Sequence, residues 1–320
     1  MARRGITAAL VGALAALLAA GLGVAPPVRA AGGRVREKDV DLDETLRLAA
    51  ILSDHGFEVA LTRQDDTFVP LRTRAASGAG ADLFLSIHNN AGPPADHGTE
   101  IYSQVNNARG ADTARALLAS ITARAGTTRR FAVARVGAHG DYYAVLRGNP
   151  AVALIVEGAY ISNRAGARRL ADGRFRQLLA EGIADGVEDE FAALPRPQAG
   201  PGPPPRTTTD VLLDTPAQLV ATRVGPAQAV LRWLPVDRAT GYRLWRDGML
   251  LGDVGASSRP AALDPVSGAG VHRYEVRAVL QAGDEDVQQS ASAVAELVIP
   301  WRVVLDAGHG GRDSGAVGRL

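Results

Sequence analysis

Arg302-Val-Val-Leu-Asp-Ala-Gly-His-Gly-Gly-Arg-Asp-Ser-Gly-Ala-Val-Gly318 is the stretch on which the fold turns. It opens as a short continuous apolar run, the composition of a strand buried on both faces. It continues as a glycine-rich loop carrying His309. A lone strand cannot bury two faces by itself, so another part of the chain must provide its sheet. The residues just before it do not. Between 213 and 298 the runs 218–222, 229–233, 241–245, 273–278 and 293–298 are short and alternating, with turn residues such as Arg246-Asp-Gly248 between them. That pattern predicts a small all-β sandwich.

The partner sheet is expected in residues 32–194, which alternate between helix and strand. Helices are expected over 40–52, 71–81, 111–125 and 168–191, and strands over 57–62, 82–88 and 151–157. The last two strands are again nearly continuous apolar runs. The expected fold is therefore α/β, a twisted, mostly parallel sheet flanked by helices, plus the all-β sandwich. Residues 195–210 are rich in Pro and Gly and read as an extended linker. At about 3.1 Å per residue its sixteen positions reach about 50 Å, enough to run back along a sandwich.

Composition narrows the function. The chain has 320 residues, enough for two domains. A formal net charge of +1 gives no global basic field, so nucleic acid is not the expected partner. Cysteine is absent, so any metal must be held by His, Asp or Glu. Residues 1–30 have a short positive start, an apolar run and Val28-Arg-Ala30, a signal-peptide pattern with cleavage expected after Ala30. The apolar run is also near bilayer-spanning length, so an uncleaved anchor is the rival reading. The mature protein is expected to work outside the cytoplasmic membrane, in the periplasm or beyond, with no stable membrane span.

Three apolar strands each run into a functional group: 303–308 into His309, 83–87 into His88 and 153–156 into Glu157. Ligands of open α/β sheets bind beyond the carboxyl ends of the strands. As parallel neighbours, these strands would bring His309, His88 and Glu157 to one edge. A His/His/carboxylate set with one open position is the pattern of a catalytic zinc site, and such a site also needs a carboxylate as general base. Each residue has a plainer reading: His88 as a hydrogen-bonded loop residue beside Asn89-Asn90, His309 as part of an anion-binding turn. Glu157 is harder to dismiss, since a carboxylate beside a hydrophobic core needs a partner or a task. His55 is expected to complement a helix end, His97 and His139 to be solvated loop residues, and His272 to lie on the surface.

Asp306-Ala-Gly-His-Gly-Gly, Arg36-Glu-Lys-Asp, Ser86-Ile-His-Asn-Asn and Val156-Glu-Gly-Ala-Tyr-Ile-Ser-Asn163 resemble the zinc-dependent N-acetylmuramoyl-L-alanine amidases of bacterial cell-wall turnover. Residues 56–63 and 70–74 match as well. The resemblance implies that Glu37, His88 and His309 ligate Zn2+, that Glu157 is the catalytic carboxylate and that peptidoglycan is the substrate. It adds Glu37, which otherwise reads as a first-turn acid favoured by the helix dipole. Some family members carry a long insertion that blocks the zinc; 106–146 has room for one helix and no such plug. Leu231-Arg-Trp-Leu-Pro, Gly241-Tyr-Arg-Leu-Trp-Arg-Asp-Gly and Tyr274-Glu-Val-Arg-Ala resemble a fibronectin type III domain.

The order of the pieces departs from the family, where the His-bearing strand comes first. Here it comes last, and the two parts are complementary, which is the signature of a circular permutation. The expected layout is a signal peptide (1–30), the main amidase part (31–194), the linker (195–210), the fibronectin-like domain (211–299) and the permuted strand with its zinc-ligand loop (300–320). The rivals are a truncated second amidase domain beginning near residue 302, and a catalytically incomplete amidase serving as a cell-wall binding protein. Oligomeric state is not legible in the sequence.

Overall fold

The computed structural model describes residues 28, 33–194, 213–225, 227–266, 268–282 and 285–320. The expected leader, Val28 apart, and the linker lie outside these residues. The described residues form two compact units, one within Met1–Leu194 together with Trp301–Leu320, the other within Pro195–Pro300.

The first unit begins β1 (Arg34–Arg36), α1 (Glu37–Asp54), β2 (Glu58–Leu61), α2 (Leu71–Ala76), β3 (Leu83–Asn90), β4 (Thr99–Ser103) and α3 (Ala108–Ala125). It continues with β5 (Arg129–Ala134), the short hairpin β6 (Val136–Gly137) and β7 (Gly140–Asp141), β8 (Val152–Tyr160), α4 (Arg164–Ala171) and α5 (Gly173–Ala193). The second unit holds β9 (Val220–Gly225), β10 (Gln228–Arg232), β11 (Gly241–Arg246), β12 (Met249–Gly255), β13 (Ala261–Asp264), β14 (Gly270–Ala282), β15 (Glu285–Gln289) and β16 (Ala293–Ile299). The chain then returns to the first unit with β17 (Arg302–Ala307) and β18 (Val317–Arg319).

The main sheet has the order β2-β17-β3-β8-β4-β5. β17 is parallel to both β2 and β3, and β3 is parallel to β8. β4 is antiparallel to β8, so the sheet is mixed. Register explains why the three apolar runs need one another. Val303 aligns with Leu83, and Leu305 with Leu85; all four join the cluster packed against α1, α3 and α5. Val304 and Phe84 face the other way, onto Val145 and Leu146. Val303, Val304 and Leu305 are essentially inaccessible, and burying each stabilises the fold by roughly 1.5–3 kcal/mol.

Several elements differ from expectation. The helix expected over 168–191 is two helices, because the Asp172 side chain accepts from Arg174 N and starts a new one. The helix expected over 71–81 ends at Ala76. Helix α1 starts at Glu37, with no side-chain cap. Its free N–H groups are met by the tail instead: Glu37 N donates to Ala316 O and Lys38 N to Ser314 O. Strands β4 and β5 were not expected. β4 is buried although Thr99, Glu100 and Ser103 are polar, and β5 is a largely exposed edge.

The second unit is all-β. Its sheets are β13-β10-β9 and β12-β11-β14-β15, with β16 also on β14, and every pairing is antiparallel. Trp233 meets Tyr242 edge-on in its core. His272 is not on the surface: it is buried, and both ring nitrogens are hydrogen-bonded.

Candidate metal centre

The site grows out of the sheet's carboxyl edge. The register that aligns Ala307 with Ile87 brings the next residue, Gly308, against His88, and Gly308 N donates to Ile87 O. A Cβ at Gly308 would stand 2.4 Å from His88 Cε1 and 2.5 Å from Asp41 Oδ2. At Gly315 it would stand 2.5 Å from His309 Cδ2 and 2.6 Å from Glu37 Oε2. The glycines of the tail loop are thus what let the polar groups close in. His309 itself takes a left-handed backbone conformation (φ 55°), uncommon for a residue with a side chain.

Four side chains converge there. His309 Nε2 and His88 Nδ1 each lie 3.1 Å from Glu37 Oε1. One turn further along α1, Asp41 Oδ2 is 3.8 Å from His88 Nδ1. One ligand atom from each of Glu37, Asp41, His88 and His309 lies within 4.8 Å of all the others. At ligand bonds of about 2.0–2.2 Å, the donors of a tetrahedral zinc stand about 3.3 Å apart. The imidazole–carboxylate spacings match that, and two imidazoles with a carboxylate suit such a metal. The second ring nitrogen of His309 is held by Asp313 (Nδ1–Oδ2 2.9 Å), whose other oxygen accepts from Gly315 N. A carboxylate on the far nitrogen is how metal-binding histidines are oriented. Asp313 escaped the sequence reading; its place four residues after His309 in a glycine loop was the available signal.

Glu157 aligns with His88 across the β3/β8 pair and with Glu100 across the β8/β4 pair. Its Oε2 is buried and has no hydrogen-bond partner among the described residues. Burial raises its pKa to about 7; His88 opposes the shift, while Glu37 and Glu100 add to it. Glu37 behaves oppositely. Burial pushes its pKa up, but hydrogen bonds from His309 and His88 outweigh burial and hold it well below the carboxylate range. His309 is raised to about 9: burial pulls it down, and Glu37 and then Asp313 more than reverse that.

The loop that presents His309 is gripped by buried cations of the N-terminal segment. Arg63 donates to Ala307 O, Gly308 O and Lys38 O. Arg74 donates to Ala307 O, to His309 O and to Asp306 Oδ1. Lys38 Nζ donates to Gly311 O and Asp66. Thr62 and Ser86 complete the partners of the fully buried Asp306. The remaining histidines stand apart: His55 caps α1 beside Glu188, and His97 and His139 are exposed.

The family described as N-acetylmuramoyl-L-alanine amidase (Amidase_3) matches residues 18–189. The chain belongs to this amidase family. Among curated relatives, the probable cell wall amidase LytH of Staphylococcus aureus is 35% identical over 159 residues, 49% of this chain and 50% of the relative. The chain thus spans about half the length of the curated relatives it matches. Solved amidase structures are also similar. One is the N-acetylmuramoyl-L-alanine amidase of Clostridium difficile 630 (26% identity, TM-score 0.46, 49% of this chain and 84% of that one). Another is the catalytic domain of CwlV from Bacillus (Paenibacillus) polymyxa var. colistinus (31%, TM-score 0.45, 49% and 86%). Among the described residues of this amidase-family chain, no helix is long and apolar enough to cross a membrane.

Proposed function

We propose that the chain is a zinc-dependent N-acetylmuramoyl-L-alanine amidase, hydrolysing the amide between N-acetylmuramic acid and L-alanine in peptidoglycan. The observation that carries this reading is the convergence of His309 and His88 on one oxygen of Glu37, with a Glu157 oxygen that has no hydrogen-bond partner among the described residues one strand away. Glu37, His88 and His309 would hold the zinc. When bound, zinc supplies Lewis acidity, acidifying water and polarising the scissile carbonyl. Glu157 Oε2 accepts a proton from the attacking water and returns it to the L-alanine nitrogen as the carbon–nitrogen bond breaks. A carboxyl poised near neutrality suits both halves of that transfer. Asp313 positions His309 by holding Nδ1, leaving Nε2 aimed at the centre.

We read the chain as a circularly permuted amidase. The seating of β17 between β2 and β3 supports this, as does the joint between the tail and β1: Arg319 pairs with Arg34, and Leu320 N donates to Gly33 O. The two antiparallel sheets and the buried Trp233–Tyr242 pair support a fibronectin type III-like second domain. The leader pattern and the cell-wall relatives support export to the periplasm or the cell exterior. Segment 106–146 holds the single helix α3, which supports activity without an internal plug.

Digestion of purified peptidoglycan tests the activity. Mass spectrometry should find stem peptides with a free L-alanine amino end, released without an added partner protein. Glu157→Gln should lower the rate by about 10²–10⁴-fold or more while zinc stays bound. An active Glu157→Gln variant sinks the mechanism. A zinc-loaded wild type that binds peptidoglycan but never cleaves it favours the incomplete, wall-binding alternative.

A further inference from the structure

The sheet edge that carries His88 and Glu157 continues past the metal centre, over β8, β4 and β5. β4 runs antiparallel to β8, and β5 parallel to β4, so the loops entering β4 and β5 lie at the same edge as the end of β8. Those two loops, with Tyr160 and α4, enclose a cavity of about 330 Å³, the size of a small-ligand site. Gly98 lets the loops meet. Its φ is 111°, and a Cβ there would stand 2.5 Å from Thr128 O. The Tyr160 ring is fixed in place: its hydroxyl donates to the buried Glu100, and the Arg130 guanidinium lies 5.1 Å from the ring centre. Glu100 is the residue aligned with Glu157.

The lining chooses the ligand. It holds one permanent cation, Arg169, with His97 and the hydroxyls of Thr127 and Thr128; among the described residues no carboxylate lines it. Arg169 is anchored from behind. It donates to Ala125 O and Gly126 O at the end of α3 and lies 4.0 Å from the Phe175 ring centre. A guanidinium has five N–H donors in a planar fork, so three remain for a ligand, and the fork matches a carboxylate. The two sides of a muramoyl–peptide amide differ in this respect. The sugar offers neutral hydroxyls and an N-acetyl group, whereas a stem peptide offers carboxylates. Reach agrees with the peptide side. Tyr160 follows Glu157 by three residues, about 10 Å along a strand. A peptide advances about 3.3–3.6 Å per residue, so the second and third stem residues come within range of the cavity.

We propose that this cavity is the stem-peptide subsite, and that Arg169 pairs there with a carboxylate of the second or third stem residue. This rests on the amidase reading above and adds to it a residue that determines specificity.

The test compares synthetic N-acetylmuramoyl tripeptides, acidic at the second or at the third residue, with the same peptides carrying a carboxamide there. Wild type should favour one acid over its amide by about 10–100-fold in kcat/KM, the worth of a hydrogen bond to a charged group, and the difference should lie in KM. Arg169→Gln should abolish that preference. Losing only the cap on α3 would slow acid and amide alike and leave their ratio in place. Thr128→Glu sets a like charge into the cavity from an exposed position and should abolish the preference too, which keeps the test decisive if Arg169→Gln does not fold. Equal cleavage of acid and amide by wild type overturns the subsite alone. So does a preference that survives in a folded Arg169→Gln chain, or in Thr128→Glu where the first variant does not fold. A wild type that cleaves no muramoyl peptide overturns the amidase reading, and this proposal with it.

Discussion

Each unit sets histidine against carboxylate, and the two settings differ in what they leave open. In the all-β unit, His272 Nδ1 meets Asp247 Oδ2 at 2.8 Å and Nε2 meets Gly268 O at 3.1 Å. Asp247 Oδ1 accepts from Arg273 N. Every polar atom of that group has a partner, and the network ties β14 to the turn after β11. In the α/β unit, two histidines crowd one Glu37 oxygen, while Asp41 Oδ2 and Glu157 Oε2 have no hydrogen-bond partner among the described residues. A closed buried network holds a fold together; one that leaves buried carboxylate oxygens unpaired beside crowded histidines is arranged for something that is not protein.

The comparison can be broken first at the loop that aims His309. Arg74→Met removes the cation that bridges Asp306 and the carbonyls of Ala307 and His309. It leaves the buried Asp306 carboxylate with hydroxyl partners alone. The expected loss is about 3–5 kcal/mol of stability in the α/β unit, read by chemical denaturation, together with loss of zinc. A variant of wild-type stability that keeps its zinc would show that the clamp is not what presents His309.

A smaller effect should follow at the closed network. His272→Ala strands Asp247 and should destabilise the all-β unit by about 1–3 kcal/mol, while zinc content and peptidoglycan cleavage stay at wild-type levels. Any loss of zinc in that variant would erase the distinction between the two settings.

Much of the fold was legible because the decisive strands are buried on both faces. Val303–Leu305, Leu83–Ile87 and Ala153–Val156 read as apolar runs, and apolar runs at this spacing demand a common sheet. What escaped notice was polar and buried. At the start of α1, Glu37, Lys38, Asp41, Asp43 and Glu44 are all buried, although the helix was expected only from residue 40 and Glu37 otherwise read as a first-turn acid. Their partners come from distant segments: Asp43 meets Arg176, Lys38 meets Asp66 and Gly311, and Asp41 and Glu44 share Asn89. Pattern reading judges a residue by its neighbours in sequence, so it cannot see a polar interior assembled from afar. Glu37 came into view only through its resemblance to a family motif, and Asp41 and Asp313 only through geometry. The break at Asp172 was missed for a local reason: α4 and α5 abut with a single capping residue between them.

Strand β17 returns to the sheet of its own chain and delivers His309 to Glu37 and His88. Zinc stoichiometry of the purified monomer, wild type beside His309→Ala, tests it most directly. One equivalent of zinc is expected in the wild type and almost none in a folded His309→Ala chain. Undiminished zinc in that variant, or a wild-type chain that binds zinc only as an oligomer, would contradict it.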